Sequence, residues 1–372
     1  MCYKNSKTIM QKMKVLVIGY FAKNLGDDLL FKALISRYPD CQFDLLCYDY
    51  SHGNHYKSIF KDYNVHILLL NSLQKFLYRI YRKIFNKRYN CPFCRVNIDT
   101  YSVVVYIRGS IFQEGGHILD SINECSSSTD NLFVIGSSFG PFNSNKFLTE
   151  SRKTLTQVKD VCFRDIISYN LFPDMPNIRV STDVVFSMPK VEVQNRNKSL
   201  GISVIDLQWR TDICTNRMRY FQLLEKLCKE AIESEYMINL YSFCKDEGDS
   251  DACQYLKGKL LQEYKDATIN IIEYQDSLDD YVKSFCSNSL NVAARFHAVV
   301  LSIANGIPVL PISYMNKTEN LLSDIDYKGV YVSLNDMKDV GVITLSMFAS
   351  QTYESENLPQ NSQFQVLDDI LK

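Results

Sequence analysis

The chain alternates short apolar runs with segments of helical periodicity. The runs are continuous, as expected for buried strands of a parallel sheet, and lie at residues 14–19, 43–48, 65–70, 102–107, 131–136, 160–165, 178–181, 200–205, 238–243, 268–274 and 307–312. Apolar spacing predicts helices at 218–236, 251–264 and 278–285. This alternation predicts an α/β protein with two doubly wound, Rossmann-like domains facing a cleft.

A polar stretch at residues 187–198 divides the alternation into two halves. A chain of 372 residues fits two domains of ordinary size. We predict an N-terminal domain over 14–186, a linker over 187–198, a C-terminal domain over 199–340 and a polar tail over 341–372, to which we assign no role. Open α/β sheets bind ligands at the carboxyl ends of their strands, so the site is expected in the cleft.

Composition narrows the class of protein. The 46% hydrophobic and 22% charged content describes a globular chain, and a net charge of −1 argues against nucleic-acid binding. We find no signal peptide and no apolar window of membrane-spanning length, so we expect a cytoplasmic protein. The twelve cysteines are scattered, which suits a reducing compartment. Cys91 and Cys94 form a single CxxC that we interpret as non-metal, with zinc as the alternative.

Residues 291–312 carry the strongest candidate chemistry. A buried strand end is followed by Arg295 and His297, and then by an apolar helix that closes at Asn305 and Gly306. A helix N-terminus after a strand gathers free N–H groups into an anion site. Arg295 adds a planar fork for carboxylate or phosphate, and His297 adds a proton carrier near neutral pH. The alternative is structural: an ion pair for Arg295 and a helix-start hydrogen bond for His297.

Polar turns after other strands supply further candidates. The turn after the first strand holds Asn24, Gly26, Asp27 and Asp28. These residues either face a ligand or only cap a helix. Further along the chain, the turn candidates are Gly109, Ser110, Glu114, Gly140, Arg164, Asp183, Tyr314 and Lys317.

Residues 73–89 form an amphipathic helix candidate without an acid. Apolar residues recur at helical spacing, and the other side holds basic residues that include Arg79, Arg82, Lys83 and Lys87. Such a helix can lie on an anionic membrane surface. The alternative is a helix that packs on the core and leaves a solvated basic face.

The ordered blocks together resemble the polysaccharide pyruvyl transferase family over about residues 14–322. The residues that carry the resemblance are Gly19, Tyr20, Asn24, Gly26, Asp27, Gly109, Ser110, Gln113, Glu114, Gly136, Gly140, Pro141, Arg164, Ser168, Asp183, Phe186, Arg295, Phe296, His297, Gly306, Pro308, Tyr314 and Lys317. The chain departs from the family pattern at Arg108, where more glycine is usual, at Glu114 for aspartate and at Phe296 for leucine. The departure at Arg108 leaves the identity of the acceptor open.

The resemblance implies a fold like the two-domain (GT-B-like) glycosyltransferases and transfer of the enolpyruvyl carbons of phosphoenolpyruvate to a sugar as a pyruvate ketal. The acceptor would be galactose or an N-acetylhexosamine in a lipid-linked glycan for capsular or surface polysaccharide. The C-terminal domain would hold the donor and the N-terminal domain the acceptor. The basic helix would then seat the protein peripherally on the inner membrane face.

The resemblance also implies roles for residues. Arg164, Arg295 and the backbone around Phe296 would hold the carboxylate and phosphate of the donor. His297 would be the catalytic acid, with its pKa raised by the donor's negative charge. The base would be one of four carboxylates, Asp27, Asp28, Glu114 and Asp183. Neither a metal nor another cofactor is required, because arginines and a helix N-terminus supply positive field.

Two other functions compete with pyruvyl transfer. One is a glycosyltransferase of similar fold that uses a nucleotide sugar, and the other is a non-catalytic glycan-binding or assembly protein. The donor separates the two enzymes, whereas replacing His297 separates enzyme from binder. Arg164, Arg295 and His297 together favour the enzyme.

Overall fold

The computed structural model of the chain describes residues 12–47, 50–85, 89, 96–208, 214–275, 277–335, 342–351 and 360–372. The Cys91–Cys94 pair and Lys87 lie outside these ranges.

The N-terminal half folds into a parallel sheet in the order β3-β2-β1-β4-β6-β7-β8, with β5 paired to β6. Its strands are β1 (Lys14–Ile18), β2 (Gln42–Cys47), β3 (Val65–Leu69), β4 (Val103–Ile107), β5 (Ser110–Phe112), β6 (Leu132–Phe139), β7 (Asp160–Phe163) and β8 (Ile178–Val180). Its helices are α1 (Leu25–Arg37), α2 (Tyr50–Ile59), α3 (Ser72–Phe85), α4 (Ile118–Ser126), α5 (Asn145–Leu155) and α6 (Ile166–Tyr169).

The second half repeats this design in a parallel sheet ordered β11-β10-β9-β12-β13-β14. Its strands are β9 (Asn197–Ser203), β10 (Met237–Ser242), β11 (Ile269–Glu273), β12 (Asn288–Ala293), β13 (Val309–Ser313) and β14 (Val332–Ser333). Its helices are α7 (Arg217–Glu233), α8 (Asp249–Glu263), α9 (Leu278–Cys286), α10 (Phe296–Ala304), α11 (Asn316–Asp324) and α12 (Ser346–Ala349). Short 3₁₀ turns lie at Ile98–Thr100, Val184–Ser187, Cys214–Asn216 and Lys245–Glu247.

The predicted fold class, two doubly wound Rossmann-like domains, is confirmed. In each sheet the strand order reverses beside the first strand, between β1 and β4 and between β9 and β12. Such a switch point opens a crevice beyond the carboxyl ends of the strands. The loops after these strands therefore face the cleft from both sides.

The two domains share one apolar core and a buried polar contact. Phe31 and Val185 of the first half belong to the same cluster as Phe243 and Tyr281 of the second. At its edge the fully buried carboxylate of Asp28 accepts hydrogen bonds from the hydroxyls of Tyr56 (2.8 Å) and Tyr274 (2.7 Å), and lies 2.9 Å from His55 Nε2. The relation between the domains is thus fixed by packing directly beside the cleft.

The segment predicted as a tail is folded where it is described. Leu345 and Phe348 join the core of the C-terminal domain. Residues 360–372 then lie on the N-terminal domain, where α13 (Gln365–Leu371) buries Leu367 and places Asp368 on Arg37 and Tyr38. The end of the chain is therefore part of the first domain and not a separate tail.

Helix α3 packs on the core along one side and leaves apolar residues exposed along another. Tyr78 is buried in a core cluster and Tyr81 packs against it, whereas Leu73 is 66% exposed and Ile84 67% exposed. The helix thus has both a packed side and an exposed apolar stripe. Among the described residues, no helix combines the length and the apolar character needed to cross a bilayer.

Candidate functional site

A cavity of about 220 Å³ lies in the cleft, at the carboxyl ends of the strands of both sheets. The two domains contribute similar numbers of lining residues to this cavity. Its lining residues are Tyr20, Asn24, Gly26, Asp27, Arg108, Gly109, Ser110, Gln113, Arg164, Phe243, Glu247, Arg295, Phe296, His297, Tyr314, Met315 and Lys317. Sequence reasoning placed most of these residues at one site, and the fold brings them together.

The N-terminus of α1 forms one wall. Asn24 caps the helix through its Oδ1, which accepts a hydrogen bond from the Gly26 N–H at 2.9 Å. A Cβ on Gly26 would lie 2.1 Å from His297 Nδ1. Glycine is thus required there, because the imidazole of the opposite domain packs directly on the helix backbone.

Asp27, in the first turn of α1, has a perturbed carboxyl group. Burial raises its pKa to about 7, against opposing effects of the Arg108, Arg164 and Lys317 charges. The neighbouring Asp28 carboxylate raises it further. At neutral pH this group exists in both protonation states, which suits a carboxyl that transfers protons.

His297 shows the opposite shift. It is the second residue of α10, and burial lowers its pKa to about 4, against the opposing effect of the Asp183 carboxylate. The Arg164 and Lys317 charges lower this pKa further. Its Nε2 lies 3.8 Å from Asp183 Oδ2 and makes no hydrogen bond among the described residues. The imidazole is therefore neutral at physiological pH in the free protein.

Arg164 leaves the end of β7 and lies across the floor of the cavity. Its Nε donates to Ser138 Oγ at 2.9 Å and its Nη1 to Asp183 Oδ2 at 3.1 Å. A Cβ on Gly109 would lie 2.8 Å from the same Nη1, so this glycine leaves room for the guanidinium. Asp183 caps the 3₁₀ turn after it, as the structural alternative held, and also orients Arg164.

Phe296 couples the cations of the two domains. Its ring lies 4.4 Å from the Arg164 guanidinium carbon and 5.6 Å from Lys317 Nζ. The buried Tyr314 lies 6.0 Å from the same Nζ. Cations over aromatic faces gain on the order of 0.5–2 kcal/mol, so these rings hold two positive charges close together.

Arg108 adds a third positive charge at the mouth of the cavity. Its guanidinium carbon lies 4.3 Å from the centre of the Tyr20 ring, and Tyr20 is 43% exposed. Arg108 therefore places a positive charge where the cavity opens.

Arg295 is engaged with two acids. Its Nε donates to Asp249 Oδ2 at 3.0 Å, its Nη2 contacts Asp249 Oδ1, and its Nη1 donates to Glu247 at 2.6 Å. Asp249 is fully buried and also accepts the backbone N–H groups of Phe243 and Cys244. The expected anion-binding role conflicts with this pairing. Arg295 is a structural ion-pair partner that fixes the turn before α8.

Three other candidates lie away from the cavity lining. Glu114 is occupied at the start of α5, where its carboxylate contacts the Ser144 hydroxyl and accepts from the Asn143 N–H at 2.6 Å. Its location contradicts the expected catalytic role. Gly140, with φ of +104°, forms a turn whose N–H donates to Phe112 O, and it is not a lining residue. Asp28 belongs to the buried domain contact.

Sequence reasoning missed Glu247 and Asp249. They follow β10, and the rule that loops after strands face the cleft could have found them in the acidic run at 246–251. Tyr20, Met315 and Phe243 also line the cavity without having been singled out for it.

The arrangement can bind a small anion and move protons. Arg108, Arg164 and Lys317 converge with the first turn of α10, whose N-terminal end favours negative charge. Asp27 and His297 approach the same space from opposite domains with pKa values displaced in opposite directions. A pair of this kind is typical of acid–base sites.

Comparisons with known proteins agree on fold and family. Similar solved structures include Anabaena HepE in complex with UDP and glucose (TM-score 0.53, 10% identity, covering 97% of this chain and 99% of that one). UDP-GlcNAc 2-epimerase from Methanocaldococcus jannaschii has a TM-score of 0.57 and 11% identity, covering 97% of this chain and 99% of that one. UDP-GlcNAc 2-epimerase from Neisseria meningitidis, bound to UDP-GlcNAc, has a TM-score of 0.56 and 9% identity, covering 96% of this chain and 99% of that one. At these identities the likeness shows the fold alone.

No protein with a curated description matches the sequence. A family model described as polysaccharide pyruvyl transferase, however, matches residues 24–316, which hold every residue of the cavity except Tyr20 and Lys317. The chain belongs to the polysaccharide pyruvyl transferase family.

Proposed function

We propose that the protein transfers the enolpyruvyl carbons of phosphoenolpyruvate to two hydroxyls of a sugar and so forms a pyruvate ketal. One observation carries the proposal. Asp27 and His297, with pKa values of about 7 and about 4, face one cavity that is also lined by three cationic side chains besides the acid-paired Arg295. Family membership supplies the reaction class, and the cavity supplies groups suited to a small, triply charged donor.

The donor would lie between Arg164, Lys317 and the first turn of α10. Arg164 still has N–H groups beyond those that bind Ser138 and Asp183, and a planar fork suits carboxylate or phosphate. Lys317 provides a compact point charge next to it. Arg295 contributes indirectly, because its pairing with Asp249 holds the backbone that leads into α10.

The proton chemistry follows from the pKa values. Between about pH 4 and pH 7 the dominant form has a protonated Asp27 and a neutral His297. Asp27 would donate its proton to the methylene carbon, and His297 would accept the proton of an attacking hydroxyl. This allocation reverses the expectation that His297 is the acid. A bound dianion raises both pKa values and keeps Asp27 protonated.

The steps balance. The first hydroxyl oxygen bonds to C2 of the donor while the methylene carbon gains a proton and becomes a methyl group. The C2–O bond to phosphate then breaks, and phosphate leaves with the electron pair. The second hydroxyl oxygen bonds to C2 and its proton ends on phosphate. The proton that His297 took from the first hydroxyl returns through solvent to Asp27, which restores the starting form of both groups. Developing charge at C2 and on phosphate is stabilised by the fixed dipoles and cations of the site.

Donor turnover tests the proposal. Phosphate release would be measured with phosphoenolpyruvate and a panel of lipid-linked and nitrophenyl-linked galactosides and N-acetylhexosamines, for wild type and His297→Ala. We expect release with one acceptor class and loss in the variant. Turnover of a nucleotide sugar instead, or a biological role intact in His297→Ala, would favour the glycosyltransferase or the non-catalytic alternative.

We further propose that α3 seats the protein on an anionic membrane surface, where lipid-linked acceptors would lie. Leu73, Phe76, Ile80 and Ile84 form an exposed apolar stripe along the helix. Beside it Lys75, Arg79, Arg82 and Lys83 form a basic flank, and residues 72–85 contain no acid. An apolar stripe bordered by cations matches the acyl and headgroup layers of an anionic leaflet.

Vesicle partition tests the α3 surface. Arg79→Glu with Lys83→Glu should lower binding to phosphatidylglycerol vesicles by at least about tenfold, because each basic residue near such a surface contributes about 1 kcal/mol. The matched control is Lys146→Glu with Lys153→Glu on α5, which is expected to bind like wild type. Unchanged partition of the α3 variant would contradict the proposal.

A further inference from the structure

The end of the chain supplies the floor beneath the site. Residues 360–363 lie against the carboxyl ends of β6, β7 and β8, the strands that present Ser138, Arg164 and Asp183. Most of this contact is made by two side-chain amides, Asn361 and Gln363. Both follow the C-terminal domain in sequence, yet they bind the N-terminal one.

Gln363 satisfies three backbone groups at once. Its side chain is fully buried, and its Oε1 accepts the Gly136 N–H at 2.9 Å. Its Nε2 donates to Phe163 O at 3.2 Å and to Thr182 O at 3.0 Å. Phe163 directly precedes Arg164, and Thr182 directly precedes Asp183, so one amide ties together the two chain segments that form the Arg164–Asp183 pair.

Asn361 acts on Asp183 itself. Its Nδ2 lies 2.8 Å from Asp183 O and 3.1 Å from Thr182 O, and its Oδ1 accepts the Gln363 N–H at 3.2 Å. Arg179 also holds this segment, since its Nη2 donates to Gln363 O at 2.7 Å and its Nη1 contacts Ser362 O. Its Nε and Nη2 pair with the Asp160 carboxylate. The segment is therefore locked from both sides.

We infer that Asn361 and Gln363 are positioning residues for the anion site. They hold the backbone of Asp183, whose carboxylate orients Arg164 at 3.1 Å and faces His297 at 3.8 Å. Removing the Gln363 amide takes the hydrogen-bond partner from the buried Gly136 N–H and one donor each from Phe163 O and Thr182 O, so this backbone would shift to find other partners. A displacement of about 1 Å at a positioned charge lowers rates by up to about a hundredfold.

A double-mutant cycle tests this positioning role. Only the measurement of kcat/KM for phosphoenolpyruvate rests on the proposed function, whereas the measurement of phosphate affinity does not. Gln363→Leu, Asp183→Asn and the double variant would be compared in inorganic-phosphate affinity by calorimetry and in kcat/KM for phosphoenolpyruvate. We expect Gln363→Leu to weaken phosphate binding about tenfold or more in the wild-type background. In the Asp183→Asn background the further loss should be less than about twofold, because Gln363 acts through Asp183.

The control is Asp368→Asn, which breaks the contact of α13 with Arg37 and Tyr38 and touches no residue of the site. It should lower the melting temperature without changing phosphate affinity. Equal losses in both backgrounds of the cycle, the same phosphate loss in the control, or no phosphate binding by wild type would overturn the inference. If Gln363→Leu does not fold, Asn361→Ala replaces it with the same expectations.

The two readouts separate the two failures. Absence of phosphoenolpyruvate turnover in wild type contradicts the proposed function, whereas the phosphate cycle still decides whether Asn361 and Gln363 position the site.

Discussion

Arg164 and Arg295 line the same cavity from the two domains and have different surroundings. Each follows an interior strand of its sheet, and each is nearly buried. Arg164 donates hydrogen bonds to one carboxylate, that of Asp183, and to the hydroxyl of Ser138. Arg295 is held by both Asp249 and Glu247.

The difference teaches that a motif arginine in a cavity is not by itself a ligand for anions. Two carboxylates around one guanidinium leave a negative balance, so the Arg295 corner attracts no dianion. On the other side of the cavity, the charge of Arg164 is balanced by the single carboxylate of Asp183. Lys317 and Arg108 line the same side and make its net charge positive. Under the proposed function, the donor is therefore expected on the Arg164 side of the cavity, near Phe296.

The largest effect is expected on stability at Arg295. Arg295→Met would leave Asp249 buried without its cation, which costs about 3–5 kcal/mol of unfolding free energy. Denaturant unfolding measures this loss. Adding Asp249→Asn should recover part of it, because the uncompensated charge disappears. A stable Arg295→Met protein with lost donor affinity would reverse the comparison.

The next effect is on donor use at Arg164. Arg164→Lys keeps a positive charge beside Asp183 but removes the planar fork, so kcat/KM for phosphoenolpyruvate should fall about tenfold to a hundredfold. Its melting temperature should stay near that of wild type. Arg295→Lys is the matched variant, and it should lose more stability than donor affinity. Equal KM changes in both variants would show that both arginines bind the donor.

Much of the fold and part of the site could be predicted from the sequence. Strands and helices were readable because buried parallel strands are continuous apolar runs, and the loops after them had to converge at the cleft. That logic brought Asp27, Arg164 and His297 together. It could also have placed the acidic run at 246–251 in the cleft, but it could not show that Glu247 pairs with Arg295, since their proximity depends on how β10 and β12 flank β9.

Long-range and surface features were beyond the sequence. No local pattern marks Gln363, whose partners lie 181 to 227 positions away. The apolar stripe of α3 was readable as periodicity, but periodicity does not say whether a neighbour covers it. The pKa order of Asp27 and His297 depends on burial, which the sequence does not display.

The pH dependence of kcat/KM sharpens the assignment of the proton pair. Activity requires protonated Asp27 and neutral His297, so it should fall tenfold per pH unit above about pH 7 and below about pH 4. Residual activity of Asp27→Asn should lack the limb near pH 7. Retention of that limb would show that another group, the donor itself included, produces it.

The last effect is on stability at Asp27. Its folded pKa of about 7 lies above the ordinary value of 3.8, so the folded state retains a proton that the unfolded chain has lost. Stability is therefore reduced as pH rises from about 4 through about 7. Asp27→Asn should raise the melting temperature at pH 8 and change it little at pH 4. An equal change at both pH values would contradict the raised pKa.

Incubation with ¹³C-labelled phosphoenolpyruvate in D₂O, followed by NMR of the glycan, tests the central claim most directly. The account predicts labelled ketal carbon on the sugar with a methyl group that carries one deuterium, formed by wild type and not by His297→Ala. Label that stays in phosphoenolpyruvate with every acceptor, while a nucleotide sugar is consumed, would contradict it.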